Sequence, residues 1–287
     1  MEQEENVTNT YIFDCDNPTE LARLINQDRV ITQAMGGPLT GVNNIAKLRN
    51  VLDLGCGPGG WALDTAFKLS ETEVDGYDSS QKMVEYANAR ARSQLLDNIS
   101  FGVMDITRPF FLSNNAFDLV NARFLIGVLK REAWLPFLDE CHRVLRPGGQ
   151  LRLTEAAEFG QTTNEAVNQL LELNRRALYQ LGYGFTYTHG LNLLPMLLSY
   201  FKQQKYEQVK VHATALDYSV ATEGWSDMHH NIDLIAYQMK PILIKLGLIN
   251  EELFEVLHQQ AMIALQLPSF CGIVHITTII GEKPMEQ

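Results

Sequence analysis

Between residues 48 and 156 the chain alternates two hydrophobic rhythms. Short runs rich in apolar and β-branched side chains, at 50–54, 73–78, 99–104, 117–121 and 150–155, predict strands. Among them lie stretches with apolar residues at helical spacing, 61–69, 81–93 and 131–144. Strands joined by helices of that length imply right-handed crossovers and a parallel, doubly wound α/β sheet. Turn punctuation agrees, with Gly-Pro-Gly-Gly at 57–60 after the first strand and Arg-Pro-Gly-Gly at 146–149 before the fifth.

The flanks read differently. Residues 17–35 predict a helix capped by Asn17, with Pro18 at its first position, Glu20 in its first turn and Gly36-Gly37 after it. Beyond Glu155 long helical patterns dominate, at 163–181, 191–204, 224–246 and 250–265, broken by β-like runs at 207–213 and 272–281. The economical division is an N-terminal helical lid over 1–47, a core over 48–156, and a helical cap over 157–287. The two late runs complete the core sheet.

Composition narrows the class. The 287 residues are 46% hydrophobic and 20% charged, which suits a globular protein with a sizeable core. Lys+Arg 23 against Asp+Glu 34 leaves a net charge of −11, which disfavours nucleic acid as a partner. Cys15, Cys56, Cys141 and Cys271 are widely spaced, with no Cys-x-x-Cys and no metal-ligand spacing, so no metal is expected. The acidic start, Met-Glu-Gln-Glu-Glu, opens no signal-like segment, and no run is long enough to span a membrane. A soluble cytoplasmic protein is expected.

The strongest chemical signal is the run from Val51 to Gly60, in which a buried strand enters a glycine-rich turn that opens a helix. Gly55 and Gly57 allow close approach of a ligand to the backbone, near a positive helix end. Gly55, Gly57 and Gly60 also satisfy a dinucleotide-type spacing. Asp53 puts a carboxylate beside the turn, awkward for a pyrophosphate and suited to a cationic ligand, and Pro58 removes one N–H donor. Asp78 ends the second strand, where an acid can accept both hydroxyls of a ribose; Asp75 competes for that role from inside the strand. After the third strand, Asp105 can accept from an adenine amino group while Met104 and Ile106 sandwich the ring. Asn121-Ala122-Arg123 follows the fourth strand, again on the ligand edge. Singly, each acid also reads as a solvated surface group; four in register on successive strand ends argue for a site.

Residues 50–155, with the glycine motif, the acid after the second strand, the Asp of the third and Val144-Leu145-Arg146-Pro147-Gly148-Gly149, resemble the class I S-adenosylmethionine-dependent methyltransferases. The resemblance implies a Rossmann-like seven-stranded sheet whose last strand inserts antiparallel. It implies S-adenosylmethionine as cofactor and S-adenosylhomocysteine as product. By the same resemblance Gly55 and Gly57 meet the methionine end and Asp78, with Ser79 and Met83 beyond it, the ribose side. Asp105 and Ile106 hold the adenine, and Asn121 flanks the cofactor through its backbone. The N-terminal segment, Tyr11-Ile12-Phe13-Asp14 and then Glu20 to Arg29, is similar to small-molecule methyltransferases of secondary metabolism, whose leading segment closes over the cofactor, sometimes from a neighbouring subunit. Tyr11 would then cover the sulfonium and Arg29 pair with the methionyl carboxylate. Packed Tyr and solvated Arg are the competing readings, and a homo-oligomer through this segment stays open.

The cap carries Tyr179, Tyr183, Phe185, Tyr187, Met196, Phe201, Tyr218, Trp225, Met228 and Tyr237. They either pack the cap itself or line a pocket for a lipophilic small molecule. No catalytic constellation is assignable. Glu155, ending the fifth strand, and the pair His229-His230 are the candidates for a base, and O-, N- and C-methylation stay open. Two other classes compete: a methyltransferase fold using the cofactor structurally or for a rearrangement, and a nicotinamide-dependent oxidoreductase, which Asp53, Pro58 and the Arg-Pro-Gly-Gly turn oppose.

Overall fold

The computed structural model describes residues 11–15, 17–156, 160–186 and 191–285; Tyr187 and the acidic start of the chain lie outside them. Helix α1 (Pro18–Ala34) begins where Asn17 accepts the Thr19 N–H at 2.9 Å, so the expected cap forms. Then β1 (Asn50–Leu54), α2 (Gly60–Lys68), β2 (Glu73–Asp78), α3 (Gln81–Ser93), β3 (Ile99–Val103), β4 (Phe117–Arg123), α4 (Trp134–Val144) and β5 (Leu145–Ala156) build the alternating core. A two-residue strand β6 (Gln161–Thr162), α5 (Glu165–Gln180), α6 (Leu193–Gln203), β7 (Glu207–Asp217), α7 (Trp225–Lys245), α8 (Glu251–Ala264) and β8 (Gly272–Glu282) complete the chain.

The described strands form one eight-stranded sheet in the order β3-β2-β1-β4-β5-β8, with β7 and the short β6 both paired to β8. β1 to β5 run parallel; β8 inserts antiparallel between β5 and β7. This is the expected Rossmann-like sheet with an antiparallel last strand, extended by β6.

Side chains alternate across the sheet, so successive residues of β1 feed different cores. Val51 packs with Trp61, Ala62 and Val84 of α2 and α3, while Leu52 and Leu54 pack with Trp134 and Phe137 of α4. A separate cluster joins α5, α7 and α8 to Val30 and Ile31 of α1, so the lid helix shares the cap's core. Among the described residues no helix is long and apolar enough to cross a membrane, and the four cysteines form no disulfide.

Two strands, β5 and β7, depart furthest from the expected boundaries. The Arg-Pro-Gly-Gly segment lies inside β5, where the β4–β5 register jumps from Phe117↔Leu145 to Leu119↔Gln150. Pro147 lacks the N–H a regular ladder needs and Gly148 takes φ +77°, so the turn residues form an irregularity within the strand. β7 also runs four residues beyond 213, because β8 offers paired partners as far as Asp217↔Ile273.

Candidate functional site

Three glycines of the loop after β1 have positive φ: Gly55 (66°), Gly57 (52°) and Gly59 (79°). At Gly57 a Cβ would meet nothing within 4 Å, so its backbone borders open space; at Gly55 it would reach Leu125 at 2.9 Å. The loop opens onto a cavity of about 310 Å³. Gly55, Gly57, Asp53, Asp78, Ser79, Met83, Asp105, Ile106 and Tyr11 all line it. The ends of β1, β2 and β3, with the start of α3 and the segment before α1, bring these residues together from widely separated positions.

The acids are held in different ways. Asp78 Oδ2 accepts the Gly57 N–H at 2.8 Å and Oδ1 the Ser80 N–H at 2.9 Å, which locks β2 to the glycine loop. Burial raises its pKa, opposed by those backbone donors. Asp53 Oδ1 accepts from the Asn121 amide at 2.7 Å, and Asn121 Oδ1 accepts from Arg152 at 2.6 Å. Burial pushes Asp53 up to about 7 and Arg152 down to about 9. Asp105 Oδ1 is taken by Thr107, through its N–H at 2.9 Å and its hydroxyl at 2.6 Å. Asp105 Oδ2, 3.4 Å from Arg108 Nε, is buried without a hydrogen-bond partner among the described residues.

Tyr11 donates to Glu20 Oε1 at 2.6 Å, and burial raises its pKa. Glu20, fully buried, also receives Arg23 (2.8 and 2.6 Å) and Gln238 of α7 (2.8 Å). Arg23 reaches Asn231 of α7 at 2.9 Å, so a buried polar cluster pins the lid helix to the cap. On the other side Arg123, at the end of β4, donates to Asp28 and to Thr32 Oγ1 (3.0 Å), tying α1 to the sheet. Asp28, Arg23 and Arg123 line the cavity. Nothing in the local sequence separates them from surface charges; their inward direction follows from how α1 docks.

Several expected site residues lie elsewhere. Arg29 is outside the cavity lining: its mostly exposed guanidinium pairs with Asp227 at 2.8 Å. One helical step from Asp28 turns a side chain by about 100°, so Asp28 points inward and Arg29 towards α7. The Met104 side chain packs into the core beneath the sheet, while its N–H donates to the Asp78 carbonyl at 3.0 Å; Ile106 alone of that pair meets the cavity. Asn121 is fully buried behind Asp53.

The base candidates also fall outside the lining. Glu155 Oε1 accepts the Leu125 N–H at 2.6 Å, so it holds the short 3-10 turn Leu125–Gly127 that does line the cavity. Its pKa is pushed up to about 8 by burial, against the Leu125 and Ile126 amides. His230 is exposed, and the His229 ring packs on Trp225 at 5.9 Å. Their neighbours Met228, Asn231 and Ile232 face the cavity instead, on another side of α7.

The remaining lining comes mainly from the cap and lid, with Phe124 from the end of β4, and is largely apolar, including Phe13, Ile31, Leu170, Ile235 and Met239. Of the cap aromatics and methionines singled out above, Met228 lines the cavity, whereas Phe201 is fully buried in the sheet core and Tyr237 is exposed.

Comparison with known proteins places the chain. Residues 51–149 match a protein family described as a methyltransferase domain. Demethylmenaquinone methyltransferase of Lactococcus lactis is 29% identical over 160 residues, covering 54% of this chain and 59% of that protein. The Geobacillus kaustophilus enzyme of the same name is 30% identical over 131 residues, covering 44% and 52%. The chain thus spans about half the length of the curated relatives it matches. Among solved structures, the YcgJ protein of Bacillus subtilis has a TM-score of 0.53 at 18% identity, covering 88% of this chain and 99% of that one. A putative methyltransferase of Bacillus halodurans has a TM-score of 0.52 at 16% identity, covering 84% and 96%. The chain shares its fold with these structures, one of them a putative methyltransferase, and its residues 51–149 match a methyltransferase domain.

Proposed function

We propose that the chain is an S-adenosylmethionine-dependent methyltransferase that methylates a lipophilic small molecule beneath its helical cap. One observation carries this reading: a single cavity is lined both by the glycine loop with Asp53, Asp78 and Asp105 and by the apolar cap. The residues fit the cofactor. Asp53, Asp78 and Asp105 converge on one cavity, Asp105 Oδ2 accepts no hydrogen bond among the described residues beside its ion pair with Arg108, and Gly57 leaves its backbone open to a ligand. In this reading Asp78 receives the ribose hydroxyls, Asp105 the adenine amino group, Ile106 packs on the ring and Tyr11 covers the cationic centre. Residues 1–47 act as lid, 48–156 as cofactor core, and 157–287 as substrate cap with the last strands.

When bound, S-adenosylmethionine supplies an electrophilic methyl group on a sulfonium. The chain then has to align the acceptor in line and keep water out. Closure rests on the lid: Ile12 N–H donates to the Gly127 carbonyl at 3.0 Å, and the Glu20–Arg23 cluster holds α1 to α7. The names of the relatives support an acceptor of the demethylmenaquinone kind. Cysteines without disulfides are compatible with a reducing, cytoplasmic setting.

Calorimetric titration with S-adenosylmethionine and, separately, with NADH tests the cofactor. Release of S-adenosylhomocysteine from a panel of lipophilic acceptors, headed by demethylmenaquinone, tests the reaction. Saturable binding of NADH without S-adenosylmethionine binding refutes the proposal.

A further inference from the structure

Helix α5 presents an almost wholly apolar face to the cavity. Leu170, Leu171 and Leu178 line it, opposite Ile235, Ala236 and Met239 of α7. Asn174 interrupts that face. It lines the same cavity, is 7% exposed, and its carboxamide oxygen is buried with no hydrogen-bond partner among the described residues.

Packing alone does not account for an Asn here. Leu has the better helix propensity and matches its neighbours at 170 and 178, one helical turn either side. A buried amide oxygen left without a donor destabilises the fold, so its retention at this spot calls for a donor arriving with a ligand. Asn174 borders a part of the cavity that α5 and the stretch Ile235–Met239 of α7 line with apolar side chains, where a hydrogen bond discriminates strongly between a ligand that can donate and one that cannot.

We infer that Asn174 is the polar anchor of the acceptor pocket, and that the acceptor is an apolar molecule bearing a hydroxyl group that donates to the Asn174 carboxamide oxygen. The inference rests on reading this cavity as the acceptor site. It makes Asn174 a specificity residue: apolar bulk is read by the leucines and α7, and the position of the hydroxyl by Asn174.

The test compares two probes of nearly equal shape, 2-naphthol and 2-methylnaphthalene, binding to the full chain with and without saturating S-adenosylhomocysteine. For the parent and for Asn174→Leu the dissociation constants of both probes are measured by fluorescence. Replacing Asn174 should shift the ratio of the two constants about tenfold towards the methyl analogue, the scale of one buried hydrogen bond. Asn174→Leu should melt at or above the parent temperature, an outcome a purely structural Asn would not give. Asn174→Ala, which leaves space, should show the same shift in ratio even if Leu fills the pocket. An unchanged ratio in the Ala variant, or failure of the parent to bind 2-naphthol, overturns the inference. Titration of the same samples with S-adenosylmethionine separates the two claims. Loss of the ratio shift with cofactor binding intact sinks the Asn174 anchor alone, and absence of cofactor binding sinks the methyltransferase reading.

Discussion

The buried cluster between lid and cap makes a prediction whose size follows from the structure. Glu20 is fully buried and Arg23 only 5% exposed, so Glu20→Ala leaves a guanidinium in the interior without its counter-charge. It also strips partners from Tyr11 and Gln238, which donate to Glu20 at 2.6 and 2.8 Å. Breaking a buried pair from one side costs about 3–5 kcal/mol. At about 2–4 °C per kcal/mol for a large domain, the melting temperature should fall by about 6–20 °C in calorimetry. Replacing both partners by apolar residues, Glu20→Leu with Arg23→Met, should recover much of that loss, because no charge is left stranded. The pH dependence has a definite sign. Burial alone would raise the Glu20 pKa, but hydrogen bonds from Arg23, its charge, and Tyr11 and Gln238 outweigh it, and the net shift is downward. Its contribution is therefore present above the ordinary carboxylate pKa and lost as pH falls through the lowered value. A Glu20→Ala variant that melts within about 1 °C of the parent at neutral pH, an error-sized change for such a fold, would refute the reasoning. So would a double variant that loses as much as the sum of the two single ones.

Asp78→Ala should lose about 1.5–3 kcal/mol of S-adenosylmethionine affinity in calorimetric titration, the scale of hydrogen bonds to a charged group; unchanged affinity in a folded variant would end the ribose assignment. On the proposed adenine contact, Asp105→Asn should lose cofactor affinity modestly and Asp105→Ala more, since Oδ2 accepts no hydrogen bond among the described residues; equal binding by both variants and the parent would make Asp105 a structural residue. Asp53 and Glu155 have raised folded pKa values, about 7 and about 8, so their stabilising neutral forms are present below the ordinary carboxylate pKa and lost as pH rises through those values. Melting temperature should decline from mildly acidic to alkaline pH, and Glu155→Gln should flatten the upper part of that decline; an identical slope in the variant counts against a buried neutral Glu155.

Much of the architecture was legible in the one-dimensional pattern. Short apolar, β-branched runs and helical apolar spacing report which segments and faces must leave water, and that is a local property. Hence β1, β2 and α3 fall at their expected boundaries, and Asn17 caps α1 as read. The glycine loop was legible for a related reason, because positive φ at Gly55, Gly57 and Gly59 restricts those positions to glycine whatever surrounds them. Acids that end adjacent parallel strands share one edge by the geometry of the sheet, so Asp78 and Asp105 could be placed beside one cavity before any packing was known.

Direction on a helix surface is not local. Asp28 and Arg29 differ by one step, and only the docking of α1 against the sheet and α7 turns the first into the cavity and the second onto Asp227. The same holds for His229 against Met228 and Asn231, and for Glu20 and Arg23, whose spacing suits a solvent-exposed pair as well as a buried one. Met104 is carried into the core by strand alternation at the end of β3, while Glu155 is drawn behind the cavity wall by the amide of Leu125. Asn174 is the clearest case. In sequence it is one polar residue in an amphipathic helix, and its unpartnered oxygen exists only because α5 and α7 close an apolar cavity around it. Burial and satisfaction of a polar atom depend on neighbours brought from elsewhere in the chain, and only the tertiary structure supplies them.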